Sequence, residues 1–353
     1  MRRIFLLAIL IRIICLCLFR NVTNYDLQSY VLVGKLTLKG LNIYPEIANL
    51  HHPYLPFFMY IEAISTYIGQ IGLIGPISSI CLIKAILVFF DLGILYLVYC
   101  LSKNNLKIAS IYAINPVTIL ITTLHGQFDV IPVFFILLAV YLIKKKKDLL
   151  SVLCFSFAIL VKTWPVLFFI PILRNIKNKI LFFLIVFFPM LFITLYCIFF
   201  KTNPIDISKT LISYQGLWGI WGPFTLLGKT RIFWQKLLTI LFLTSFLSYS
   251  WINKEKNLIK NILKLLFFFF IFTTNFSIQY FVWIIPFLIL IKPKSYLILI
   301  TLISIYLCSF YYFLVFCQTC AETPNWLLTI QNIVGFALWF SFIKIGYISS
   351  KKS

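Results

Sequence analysis

Long apolar runs separated by short polar turns dominate the chain, and their lengths predict helices throughout. Apolar runs of roughly 17–25 residues bounded by Lys and Arg are membrane-spanning helices. The pattern predicts about twelve of them, near 4–19, 76–101, 106–123, 128–143, 149–161, 164–173, 180–200, 232–252, 262–275, 279–291, 296–316 and 326–346. The stretch 149–173 reads either as two short spans or as one broken hairpin. One segment departs from the rhythm. Residues 20 to about 75 run from Arg20-Asn-Val-Thr-Asn-Tyr-Asp26 through Gly40-Leu-Asn-Ile-Tyr44-Pro45-Glu46 to His51-His52-Pro53-Tyr54-Leu55-Pro56. Such a polar insert after the first span predicts a large non-cytoplasmic loop. It is expected to carry amphipathic helices along the membrane surface, near 27–39 and 55–68.

Composition narrows the class. Of the 353 residues 62% are hydrophobic and 11% charged, against about 25% charged in soluble domains. The expected fold is therefore an all-α integral membrane protein, a single domain over 1–353 with 20–75 as its outer insert. The net charge of +22 raises nucleic acid as a partner. Lys and Arg fall in short clusters between spans, however, so they read as topological anchors and no nucleic acid is expected. Arg2 and Arg3 before an apolar run imitate a secretory signal, but Arg12 interrupts the run and no small-residue cleavage site follows. The first helix is read as retained.

Loop charge sets the orientation. With the N-terminus cytoplasmic, that side holds Arg2-Arg3, Lys103, Lys107, Lys144–Lys147, Arg174, Lys177, Lys179, Lys254, Lys256, Lys260, Lys264, Lys292, Lys294 and Lys351-Lys352. The opposite loops are poorer in basic residues, which is the positive-inside asymmetry. Asp26, the turn His125-Gly126-Gln127-Phe128-Asp129, the break Lys162-Thr163-Trp164-Pro165, the pair Gln279-Tyr280 and the aromatic loop around Trp218 then share the outer face. A plasma membrane is expected over an endoplasmic reticulum, since no retrieval tail is present.

Several residues carry two readings. Asp26 is either a general base beside the membrane or the N-cap of a helix starting at Leu27. Asp129 binds sugar hydroxyls, acts as a second carboxylate, orients His125, or caps the fourth span. Gln127 suits sugar or phosphate contact. Lys162 is either a phosphate-holding ammonium or a snorkelling lysine. His51 and His52 suit loop hydrogen bonding or acceptor contact, with no visible metal-ligand set around them. Lys84 and Asp91, two turns apart in the second span, are expected to pair within the bundle, with Arg12 as a partner. Cys317 and Cys320 fall on the outer side, where a disulfide is chemically allowed.

These motifs, in this order, resemble the GT-C superfamily of polytopic glycosyltransferases. They are Tyr25-Asp26, Gly40-x-Asn42-Ile43-Tyr44-Pro45, His52-Pro53-Tyr54-Leu55-Pro56, His125–Asp129, Lys162-x-Trp164-Pro165 and Gln279-Tyr280-x-x-Trp283-x-x-Pro286. The set is similar above all to prokaryotic polyprenol-phosphate-mannose-dependent mannosyltransferases, and more distantly to the glucosyltransferases that extend the lipid-linked N-glycan precursor. The resemblance implies Asp26 as catalytic residue. Lys162, His125, Gln127, Asp129, His52, Tyr54, Gln279 and Tyr280 are then expected to bind substrate. It also implies inverting transfer of a hexose, mannose over glucose, from a polyprenyl phosphate to a glycan or glycolipid acceptor. No metal or other cofactor is expected, the lipid-phosphate sugar being substrate. Two other classes share parts of the pattern. A flippase of lipid-linked saccharide needs polar groups deep in the membrane with access from both sides, and a polysaccharide polymerase or ligase would use a diphosphate-linked glycan.

Overall fold

The computed structural model describes residues 1–72, 78–213, 221–224, 231–316 and 324–351. Trp218, Cys317 and Cys320 lie outside the described residues. The described chain is helical, with no β-strand, and groups into two compact units. One comprises Met1–Phe169 and Leu173–Tyr214, the other Ile170–Ile172 and Gln215–Ser353.

The first unit begins with α1 (Arg2–Leu18), then the insert helices α2 (Tyr25–Leu38), α3 (Ala48–His51) and α4 (Phe58–Ile71). Both amphipathic segments expected in the insert are thus helical. Gly40 ends α2 with φ of +70°, a left-handed conformation that suits glycine after a helix. The insert is not a loose loop. Val33, Ile43, Tyr44, Ala48, Leu55 and Met59 form one buried cluster with Leu160, Tyr196 and Ile207 from later helices. Asn42 fixes the register of this cluster, donating to Thr202 Oγ1 at 2.6 Å and accepting from Tyr196 Oη at 2.8 Å. The Asn42-Ile43-Tyr44 motif therefore anchors the insert.

Helix α5 (Ser79–Leu101) follows, then α6 (Leu106–Ala113), α7 (Pro116–Ile119) and a π-helical turn over Leu120–His125. The apolar run expected as one span at 106–123 bends by 43° at its middle. Proline explains the bend: Pro116 lacks an N–H to continue α6, and Asn115 caps the new helix by accepting from Val117 N at 3.0 Å. Two hydrophobic hairpin arms come next, α8 (Val130–Lys144) and α9 (Asp148–Val161). The chain then breaks at Lys162, passes through a 3-10 turn at Trp164–Phe168 and enters α10 (Phe169–Asn175). The 149–173 stretch is thus a broken element. Helices α11 (Phe183–Phe200) and α12 (Pro204–Ser213) complete this part of the chain.

Inside the first unit each intramembrane charge has polar partners, as expected from its cost in lipid. Arg12 Nε meets Asp91 Oδ2 at 2.6 Å, and Tyr112 Oη donates to Asp91 Oδ1 at 2.6 Å. Lys84 Nζ donates instead to the Phe19 and Val22 carbonyls, each at 3.0 Å, just beyond the C-terminus of α1.

The second unit contains α13 (Arg231–Ile252), α14 (Leu258–Phe272), a 3-10 turn at Ile278–Tyr280, α15 (Phe281–Ile291), α16 (Tyr296–Phe316) and α17 (Asn325–Lys351). Its core is aromatic, with Trp221, Phe270, Phe276, Phe281 and Phe342 in mutual ring contact.

Helix length and composition single out some of the expected spans. Among the described residues four helices are long and apolar enough to cross a membrane, or five if the bent pair Leu106–Ala113 and Pro116–His125 counts as one. Most of the other expected spans also fold as helices, but several are short. At 1.5 Å per residue α8 and α9 reach only about 21–23 Å, against a hydrocarbon thickness of about 30 Å.

Candidate active site

Asp26, His125 and Gln127 meet at the start of α2, and Asp129 and Lys162 meet at the other end of the 125–129 turn. Asn24, not Asp26, is the N-cap of that helix, with its Oδ1 accepting from Leu27 N at 2.9 Å. The capping alternative for Asp26 therefore falls away. Asp26 is the second residue of the helix, where a carboxylate is favoured by the N-terminal dipole, and its side chain remains 42% exposed. Asn24 also ties the helix start to the 125–129 turn, its Nδ2 donating to the His125 carbonyl at 2.8 Å.

That turn holds the carboxylate from behind. Gly126 adopts φ of +75°, and a Cβ there would strike the Leu27 side chain at 2.6 Å. The close approach lets Gln127 Nε2 donate to Asp26 Oδ2, while His125 Nε2 lies 3.7 Å from the same oxygen. Tyr30, one turn after Asp26, donates to Gln127 Oε1 at 3.2 Å and so orients the amide. Burial, with Asp26 nearby, holds the Tyr30 phenol well above its usual range, so it stays a donor.

The far end of the turn holds a cation. Asp129 occupies the N-cap position of α8 without a side-chain cap bond. Its carboxylate instead accepts from Lys162 Nζ at 2.7 Å, and both groups are buried. The ammonium also lies 4.7 Å from the Phe128 ring centre and 5.1 Å from that of Tyr54. Phe128 stacks on Phe58 at 3.9 Å and meets Tyr54 edge-on at 4.9 Å. The snorkelling alternative does not describe this lysine, whose ammonium is enclosed by aromatic faces and a carboxylate.

A family model described as Glycosyltransferase family 87 matches residues 80–274, more than half of the 353 residues. The chain belongs to glycosyltransferase family 87. It is thus a membrane glycosyltransferase. Comparison with curated proteins gives no match. The region matched to family 87 includes the His125–Asp129 turn and Lys162, whereas Asp26 and the pair Gln279-Tyr280 lie outside it.

The three histidines of this family 87 protein have different neighbours. His51 Nδ1 shares a hydrogen bond with Ser29 Oγ at 2.7 Å and its ring stacks on Tyr25. His52 is fully buried, with Nδ1 3.4 Å from Glu62 Oε2. Burial pushes the Glu62 carboxyl above its ordinary value, and His52 pulls it partly back. His125, the third, faces Asp26 as described. Among the described residues no three His, Cys, Asp or Glu side chains converge as a metal-ligand set. In the second unit, Gln279 is hydrogen-bonded to Ser277 Oγ, and Tyr280 stacks on Trp283 at 4.2 Å between ring centres.

Sequence reading overlooked Asn24, Tyr30, Phe58 and Phe128 as parts of this site. Two signals were available. Asn24 precedes a helix start, the usual place for a cap, and Tyr30 stands four residues after Asp26, on the same helix face.

Proposed function

We propose that this family 87 enzyme transfers a hexose, mannose over glucose, from a polyprenyl phosphate to a lipid-linked or surface glycan, with inversion, on the non-cytoplasmic face. One observation carries the reading. A single five-residue turn engages an exposed carboxylate through Gln127 and a buried ammonium through Phe128 and Asp129. Glycosyl transfer from a lipid phosphate asks for those two groups: a base for the acceptor hydroxyl and a cation for the departing phosphate.

In this mechanism Asp26 takes the acceptor proton as the hydroxyl oxygen attacks the anomeric carbon from the face opposite the phosphate. The sugar–phosphate C–O bond breaks, and its electron pair goes to the phosphate oxygen. Lys162 balances the charge that develops there. Gln127 and His125 keep the Asp26 carboxylate aimed. Tyr54, whose ring lies under the ammonium, shapes the wall beside Lys162. The lipid-phosphate sugar is substrate, and the reading invokes no resident cofactor. About twelve membrane passages, plasma-membrane residence and an outer-facing site complete the proposal, supported by the alternating loop charge.

The test is purified protein incubated with polyprenyl-phosphate mannose, polyprenyl-phosphate glucose and a membrane lipid extract, with products identified by mass. A mass gain of one hexose on an acceptor, seen with the mannose donor, is expected. Transfer only from a nucleotide sugar or only from a diphosphate-linked glycan overturns the proposal.

A further inference from the structure

Behind Tyr54 lies a buried acid–base pair that no step above uses. Glu62, on α4, and His52, in the segment before it, are both fully buried. The two ring nitrogens of His52 each face an oxygen: Nδ1 lies 3.4 Å from Glu62 Oε2, and Nε2 lies 3.4 Å from the Leu55 carbonyl. Among the described residues neither Glu62 oxygen nor His52 Nδ1 makes a hydrogen bond, and the 3.4 Å approach between them is a close polar contact. Each member therefore compensates the other in a region away from water, and a change in either leaves a buried polar group with its full desolvation cost.

The pair reaches the site through Tyr54. The His52 ring stands edge-on to Tyr54 at 5.5 Å and to Tyr44 at 6.3 Å between centres. Tyr44 Oη donates to the Tyr54 carbonyl at 2.8 Å, so the backbone of Tyr54 is held as well as its ring. Beyond the ring stands Lys162, whose ammonium lies over its face. A lysine stem is flexible and its charge here is already shared with Asp129, so its use to a phosphate depends on where the ammonium is held.

We propose that Glu62 and His52 are a positioning pair that holds the Tyr54 ring against the Lys162 ammonium and thereby sets affinity for the phosphate of the lipid donor. This rests on the reading of Lys162 given under the proposed function. Glu62 touches no substrate in this scheme and acts only through His52 and Tyr54.

The experiment is a double-mutant cycle on the full-length protein in detergent, reading the Kd of a polyprenyl phosphate. Lys162→Gln and Glu62→Gln are each expected to raise Kd about tenfold, and the double variant no further than either alone, because the second change acts through a group the first has removed. A double variant about a hundredfold weaker, with the two losses independent, overturns the positioning role alone and returns Glu62 to general structure. Wild-type affinity in Lys162→Gln overturns the phosphate reading of Lys162, and the positioning proposal with it. Where Glu62→Gln does not fold, Tyr54→Leu takes its place in the cycle with the same expectations.

Discussion

Lys162 and Asp129, thirty-three positions apart, meet at 2.7 Å with both charges buried. The contact joins a helix break to a helix start, and it gives the lysine two duties that substitution can separate. Removing one member of a buried ion pair leaves the other uncompensated, typically at about 3–5 kcal/mol. Lys162→Ala is thus expected to lower both stability and donor use. Adding Asp129→Asn should recover most of the melting temperature and none of the activity. Lys162→Arg, which keeps the charge, should retain more activity than Lys162→Ala. Full recovery of turnover in the double variant would show that the lysine serves the fold alone.

Asp26 is separable from folding because Asn24 does the capping. A general base contributes about 10²–10⁴-fold, so Asp26→Asn should lose that much turnover while its melting curve stays near wild type. Glu46→Gln should cost far less. Steady-state rates with a defined donor and acceptor decide the matter, and retained activity in Asp26→Asn rules it out as the base.

The contacts of Asp26 with His125 and Gln127 place these residues side by side, and the proposed topology puts them on the non-cytoplasmic face. A single cysteine at Tyr25, in a background lacking the nine native cysteines, should react with an impermeant maleimide from outside. A cysteine at Lys146 should react only after the membrane is opened. The reverse pattern inverts the topology and removes the site from the outer face.

At Gly34 α2 presses closely on α4. A Cβ at this position would sit 2.6 Å from the Glu62 carbonyl oxygen, and backbone cannot step aside as a flexible side chain can. Gly34→Ala is expected to destabilise the protein by about 1–3 kcal/mol through overpacking. Because Glu62 moves with α4, donor affinity should fall as well. An unchanged melting temperature would show that the two helices separate at no cost.

Glu255 provides a pH prediction away from the site. Burial alone would raise its carboxyl, but Lys264 and Lys260, at 3.0 and 3.1 Å, outweigh that and lower it from 4.5 to about 2. A folded-state value below the unfolded one stabilises the fold above pH 4.5, and the gain disappears as pH falls toward 2. At this partly exposed position the contribution is roughly 1–3 kcal/mol. Melting curves between pH 6 and 3 should converge for wild type and Glu255→Gln as the medium becomes acid; a constant difference would deny the pair its role.

The sequence by itself determined where the helices lie and where they break. Apolar runs and the Lys162-Thr163-Trp164-Pro165 break act through local backbone chemistry, which one short window of residues contains; the bend at Asn115-Pro116, inside a run expected as one span, came from the structure. It also brought out Asp26, the 125–129 turn and Lys162 as the groups to watch, because polar residues stand out against so apolar a chain. Tertiary structure alone decided their partners. Asp26 took Gln127 rather than a cap, Asp129 took Lys162, and His52 took Glu62, across separations of 101, 33 and 10 residues. Such pairings depend on which helix faces pack together and how far each helix rotates about its axis. Burial then forces each enclosed charge to find a polar partner, and no local run of residues records which partner that is.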